Sequence, residues 1–459
     1  MDELRILSPT GILGYGFPPQ SLKNGMERAP HVIGVDGGST DGGPYYLGIE
    51  PGIASGRTEA FRDFLRRDLE PLLTASSDAS IPLIIGSAGF AGADLHLFGT
   101  VGLVQMIAAE LGLKRRKMAT IRAEIPAQVV HAALTDGRIA PLGPVPNLTH
   151  ADVDDAVRIV AQMGVEPIAE ALRSGAEVIV AGRANDPSIF AARAVVDGFD
   201  KGLALHMAKI LECGAIACEP GSGSDVLLGT LREDHFDIEA MNPERRATVR
   251  SVAAHTFYEK SDPTRLYGPG GHVDLSDVRF EQLTPRVVRV RGSQWVPDPI
   301  YRVKLEGARR VGFRTIAIAG LRDPAALRVL DELLEETRRQ TAERFPELNL
   351  DTALHIRVYG RDGVMGALEP TPVTGHEVGL VFEAVAQTQG LATSLCGHAR
   401  SVLLHLGFEG RWSTAGNLAM PFSPQDIPAG PVYGFHIYHL MEATDPSSLF
   451  PIDYMEIGV

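Results

Sequence analysis

Three cysteines in 459 residues, Cys213, Cys218 and Cys396, form no C-x-x-C pair. That excludes a disulfide framework and a paired-cysteine zinc site, and it makes a reducing cytoplasm the expected setting. Positive charge is short as well: 43 Lys and Arg stand against 57 Asp and Glu, for a net charge of −14. Nucleic acid and anionic membranes both select clustered Lys and Arg, so neither is an expected partner. The basic stretch LKRRK at 113–117 reads as a solvated helix end or turn. No run approaches the ~18 uncharged apolar residues that a spanning helix needs. The opening MDELRILSPTG has no basic segment followed by an apolar run, so no secretory signal is expected.

Nucleotide fingerprints are missing too. Neither G-x-G-x-x-G nor G-x-x-x-x-G-K-[ST] occurs, so dinucleotide and Walker-type phosphate binding have no support. What the chain does contain is a repeated punctuation: short apolar runs end in glycine-rich polar turns, and helical segments follow. LRILSPTGILGYG (4–16), HVIGVDGGSTDGGPYYLG (31–48), IPLIIGSAGFAGAD (81–94), MATIRAEIP (118–126) and AEVIVAGRANDPS (176–188) are the successive cases. The segment at 151–175 reads as a helix with Gly175 just past its end. Alternating units with nearly all-apolar strands predict a Rossmann-like, mostly parallel sheet with helices on both faces. Ligands of such sheets sit beyond the carboxyl ends of the strands. Residues 1–298 are therefore expected to form an α/β domain with glycine-rich loops at its strand ends. Within it, 272–296 alternates apolar and polar residues and reads as antiparallel strands around a turn at Pro285. Residues 299–459 are expected to form a smaller α+β domain, with a helix starting at Pro324, helical structure over 376–407 and an extended C-terminal tail that must dock on this chain or a neighbour.

Several residues could carry chemistry. Asp36 and Asp41 flank Ser39 and Thr40 on one loop, where they suit acid–base work or a divalent metal such as Mg²⁺, and equally suit turn and helix-cap roles. Ser87 and Gly89 lie in a loop rich in backbone N–H donors. Arg183 could clamp a carboxylate or pair with Asp186 or Glu212. Glu212 and Cys213 precede an apolar run, and Cys213, with no visible activating group, reads as structural. His255 and Glu259 stand four apart, close to a helical metal-ligand spacing. Lys304 and Glu306 share a strand face, as an acid–base couple or an ion pair. Asn417 and Ser413 sit in a long loop over 411–439 that is too apolar for disorder.

Taken together, ILSPTGILGYGFP, VDGGSTDGGPYYLG, LIIGSAGFAGAD, VAGRANDPS, LECGA, SVAAHTFYEKSDP, VKLEGA and NLAMPFSP resemble the acyclic terpene utilisation AtuA-like family, in order and over most of the chain. The resemblance implies a catabolic context, breakdown of acyclic terpenes through acyl-CoA intermediates, with relatives in several acid-degrading pathways. The expected activity is that of a hydro-lyase on a small carboxylic acid or its CoA ester. Its catalytic groups are expected among Asp36, Asp41, His255, Lys304 and Glu306, and its substrate-binding groups among Ser39, Thr40, Ser87, Gly89, Arg183 and Asn417. A metal-dependent hydrolase with Mg²⁺ at Asp36 and Asp41, or a non-catalytic ligand-binding subunit of a catabolic complex, are the alternatives. A homo-oligomer is expected, and a small partner subunit fits the same setting.

Overall fold

The computed structural model describes residues 2–38, 42–49, 55–371, 373–412 and 414–459, with the side chains of 55–61 left undescribed. Ser39, Thr40, Asp41 and Ser413 therefore lie outside the described residues. The chain divides into two compact units, Met1–Arg309 with Phe435–Val459, and Arg310–Gly434. The first thus runs past the expected boundary at 298/299 and takes back the C-terminal segment.

In chain order the first unit begins β1 (Leu4–Ser8), α1 (Pro19–Glu27), β2 (Val32–Gly38), α2 (Gly43–Gly48), α3 (Ser55–Ala79), β3 (Leu83–Phe90), α4 (Asp94–Glu110) and β4 (Arg116–Ile121). It continues α5 (Ala127–Thr135), β5 (Ile139–Pro141), α6 (His150–Asp154), β6 (Arg158–Ala161), α7 (Val165–Arg173), β7 (Val178–Ala181), α8 (Asp186–Val196) and α9 (Lys201–Leu211). Then follow β8 (Leu227–Leu231), β9 (His235–Ala240), α10 (Val249–Thr256), β10 (Arg265–Gly268), β11 (Gly271–Asp274), β12 (Arg279–Thr284), β13 (Val287–Arg291) and β14 (Gln294–Pro297). The long strand β15 (Arg302–Leu321) starts in the first unit and ends in the second. The second unit adds α11 (Pro324–Arg328), α12 (Leu330–Arg344), α13 (Leu350–Ala353), β16 (Leu354–Tyr359), β17 (Val378–Ala386) and α14 (Gln389–His405). The chain closes with β18 (Asp426–Glu442) and β19 (Ile452–Ile457).

The fold is mixed α/β. The large sheet of the first unit has the order β12-β13-β9-β8-β1-β2-β3-β7-β4-β19. Its pairs β1-β2, β2-β3, β3-β7 and β7-β4 are parallel, while β8, β9, β12, β13 and β19 join antiparallel. The sheet is mixed, a correction to the mostly parallel one expected. The reason lies in the connections: tight turns after β8 and β12 force antiparallel neighbours, whereas parallel neighbours need helical crossovers.

Strand side chains alternate across the sheet, and the core records it. Leu4, Ile6, Val32, Ile84, Ile179 and Ala181 pack on one face with Ile168, Phe190, Met207 and Leu211 of α7, α8 and α9. Leu7, Ile33, Val35, Leu83, Ile85, Val178 and Val180 pack on the other with Leu69 and Leu73 of α3 and Val101 and Val104 of α4. Burial on both faces explains why these strands read as unbroken apolar runs. In the second unit, β17 pairs antiparallel with β16 and with the end of β15, and α12 and α14 complete a separate core around Leu330, Leu333, Phe382, Leu395 and Leu403.

Several expectations need correction. The segment 151–175 is interrupted by β6, whose Ile159, Val160 and Ala161 are buried. Residues 376–407 are not all helical: β17 alternates buried and half-buried positions from Val378 to Ala386 before α14 begins, a period of two that the helical reading passed over. The helix at Pro324, capped by Asp323, breaks at Val329 into α11 and α12. Half of the supposed long loop is the strand β18. Arg116 is not solvated but buried at the start of β4, donating to Ser76 Oγ and the carbonyls of Ile81 and Glu177. The tail docks on its own chain, β19 running antiparallel to β4 with Ile452 opposite Ile121.

Candidate functional site

The second half of β3 and the turn that follows it are shaped by close approaches. A Cβ on Gly86 would lie 2.1 Å from Ile189 of α8, one on Gly89 2.6 Å from the His96 Cβ, and one on Gly92 2.1 Å from the Arg183 nitrogen. Side chains are excluded at all three positions, and Gly89 and Gly92 also have positive φ. Ser87 at φ 45° and Phe90 at φ 76° hold a left-handed conformation that L-residues with side chains resist, a form of strain found at ligand sites. Asp36 pairs across the parallel ladder with Gly86, which sets it beside that segment at the carboxyl end of β2.

Arg183, two residues past β7, ties the loops together. Its Nε donates to Glu306 Oε2 at 2.8 Å, and its Nη1 donates to Ser87 Oγ at 3.1 Å, Asp186 Oδ1 at 3.2 Å and the Ala184 carbonyl at 3.2 Å. Nη2 reaches Glu306 Oε1 at 3.5 Å. Glu306 also accepts from Lys304 Nζ at 2.8 Å and Gln162 Nε2 at 3.1 Å, and the Lys304 ammonium lies 4.2 Å above the Tyr438 ring. Burial alone would raise the Glu306 carboxyl, but Arg183 and Lys304 overcome it and hold it down at about 2. This network is closed. Arg183 is thus ion-paired inside the protein with Glu306 and Asp186, one of the two roles its sequence position allowed.

Next to it lies a second group of carboxyls. The Asp36 carboxyl is buried, accepts from the Gly38 N–H at 3.1 Å, and is raised by burial and then by Asp186, against the pull of Arg183. Glu212 caps the C-terminus of α9, which is braced by Ser8 Oγ donating to the Leu211 carbonyl at 2.7 Å. Its Oε1 accepts from Lys209 Nζ, and its buried Oε2 has no partner among the described residues. Burial pushes Glu212 up to about 7 despite Lys209. Burial and Glu212 together raise the Cys213 thiol, which keeps it protonated and unreactive.

His255 is buried, stacks 5.5 Å from Tyr258, and leaves Nε2 without a partner among the described residues. Burial and then Lys209 push it down to about 3, so it is neutral at physiological pH. The expected helical pair with Glu259 is a correction: α10 ends at Thr256, and Glu259 lies beyond it with φ 60°, where it approaches Lys209 Nζ at 4.0 Å. Asn417, in the second unit, caps α14 by donating to the carbonyls of Leu403 and Leu406 at 2.8 Å each. Capping, not ligand binding, explains it. Among the described residues no three His, Cys, Asp or Glu side chains gather as metal ligands, and Asp41, the expected Mg²⁺ partner of Asp36, lies outside them.

Lys209 also opens onto a cleft between α8, α9 and the small sheet β10-β11-β14. The cleft is lined by Val165, Asn185, Ser188, Lys201, Leu205, Lys209, Lys260, Leu266, Tyr267, Val273 and Trp295, among others. Sequence reasoning passed over Lys209, although a lysine inside the apolar run LALHMAKIL was a signal, since a buried ammonium needs a partner. Lys260 and Trp295 carried no such mark.

A family model for the acyclic terpene utilisation family protein AtuA matches residues 52–225 and 239–415. No curated protein and no solved structure matches the chain.

Proposed function

The chain belongs to the acyclic terpene utilisation family AtuA, and from that premise we propose that it is an enzyme acting on a small carboxylic acid or its CoA ester as a hydro-lyase. Family membership suggests a role in acyclic terpene utilisation. The observation that carries the finer reading is two buried carboxyls, Asp36 and Glu212, both raised above the ordinary carboxylate range, with Glu212 paired to the Lys209 ammonium. Adding water to a carbon–carbon double bond needs one group to take a proton and another to give one. Glu212, titrating near neutrality with an Oε2 unpartnered among the described residues, takes a proton from water as its oxygen bonds to carbon. Asp36, whose carboxyl burial raises, gives a proton to the adjacent carbon. The proton then returns from Glu212 to Asp36 through solvent, and dehydration runs the same steps backwards.

The test follows the loss of the conjugated double bond of a 2-enoyl substrate spectroscopically. Glu212→Gln and Asp36→Asn should each lower turnover about 100-fold or more, as for other acid–base groups; because Glu212→Gln also leaves the buried Lys209 ammonium without its partner, turnover is compared at a temperature where circular dichroism shows each variant folded. Unchanged turnover in both variants would remove this assignment.

A further inference from the structure

If the substrate is an acid, a cation less engaged than Arg183 is the better anchor, because Arg183 already donates to Glu306, Asp186, Ser87 and Ala184. From the cleft beside Lys209 we infer that Lys260 binds the carboxylate of a free, short-chain apolar acid, whose chain lies against Val273, Tyr267 and Trp295. Three lysines border the cleft, and they differ in what they already hold. Lys209 is paired with buried Glu212. Lys201 is paired with Glu166 at 3.3 Å and lies 4.3 Å from the Trp295 ring. Lys260 has no carboxylate within 4 Å among the described residues.

Burial and then the neighbouring Lys209 charge work against the Lys260 ammonium, and Glu212, Asp186 and Glu259 offset them only in part; a bound anion relieves what is left. Leu205, Leu266, Val273, Tyr267 and Trp295 also line the cleft, apolar and aromatic surface that suits a hydrocarbon chain and adds affinity with each buried methylene. A carboxylate with a short chain matches both ends. The whole chain carries a charge of −14, so attraction for an anion has to be local, and this is where the cations gather.

This inference rests on the reading of an acid as substrate, and its test separates the two. Trp295 and Trp412 are the two tryptophans of the chain, and Trp412 is 98% exposed. A Trp412→Phe variant therefore leaves Trp295 as the fluorescence reporter in the cleft. Butanoate, hexanoate and octanoate should each shift its emission saturably, more tightly as the chain lengthens, whereas hexanamide and inorganic phosphate should not. Adding Lys260→Met should weaken hexanoate about tenfold or more, as expected for loss of a charge-assisted contact. Lys260→Arg should retain part of the binding.

Equal binding of hexanoate and hexanamide, or of hexanoate by wild type and Lys260→Met, overturns the inference even if hydration is observed. Selective carboxylate binding without any hydration leaves the inference standing and removes the hydro-lyase. The comparison of acid with amide uses the lysine in place, so it decides the matter even if Lys260→Met does not fold.

Discussion

Glu306 illustrates what a buried charge needs. It is surrounded by Arg183, Lys304 and Gln162, and each partner is itself held by others. Removing the negative charge strands the Arg183 cation in the interior, so Glu306→Gln should cost about 3–5 kcal/mol of unfolding free energy, read from denaturant midpoints. Because its folded-state pKa is depressed, Glu306 contributes stability above its ordinary value of 4.5 and loses it as pH falls toward about 2. The variant should therefore lose the part of the acid sensitivity that falls in this window. A stability within about 1 kcal/mol of wild type would mean the network is looser than its distances imply. At this scale the sequence was partly legible. Asp36, Ser87 and Arg183 stood out because polar residues after apolar runs are conspicuous, and the Lys304–Glu306 pair followed from strand periodicity. Arg183's partners were beyond reach: Glu306 lies 123 positions away, and no local pattern encodes such a pairing. Lys260 lies in SVAAHTFYEKSDP, where a lysine is indistinguishable from an ordinary surface residue until the three-stranded sheet folds over it.

At the level of elements, the glycine-rich turns have separate causes that the text of the sequence merges. GSAGFAG looks like a phosphate-binding loop, yet its glycines are explained one by one by Ile189, His96 and the Arg183 backbone. The strands of the parallel core were readable because both faces are buried, while β17 was misread because its alternation sits beside a true helix. The tail makes the clearest prediction. Phe450 is fully buried in the core packed against α7, α8 and α9, and it leads into the edge strand β19. Phe450→Ala should cost about 3–5 kcal/mol and raise hydrogen exchange in β19 and β4, measured by mass spectrometry. Exchange unchanged in both strands would show that the tail's pairing does not depend on this anchor.

For the molecule as a whole, composition was a sound guide to class and a poor guide to topology. Alternating apolar strands and helices announced a mixed α/β protein with helices on both faces of a sheet. The antiparallel turn at Pro285 was legible, but the long-range pairing that sets the antiparallel flank against the parallel core, β8 beside β1, is not marked in the sequence. The order of strands and helices suggested a boundary at 298/299, whereas the compact units divide after Arg309 and the first takes back Phe435–Val459, which depends on contacts, not composition. Function follows the same division: family membership gives the catabolic setting, and the buried carboxyls give the chemistry proposed for it. The most direct test of that chemistry is the pH profile of kcat/KM for 2-enoyl hydration by wild type and Glu212→Gln. A limb near pH 7 in the wild type, matching the Glu212 carboxyl held at about 7 and absent from the residual activity of the variant, is the predicted result. An identical limb in both proteins would contradict it.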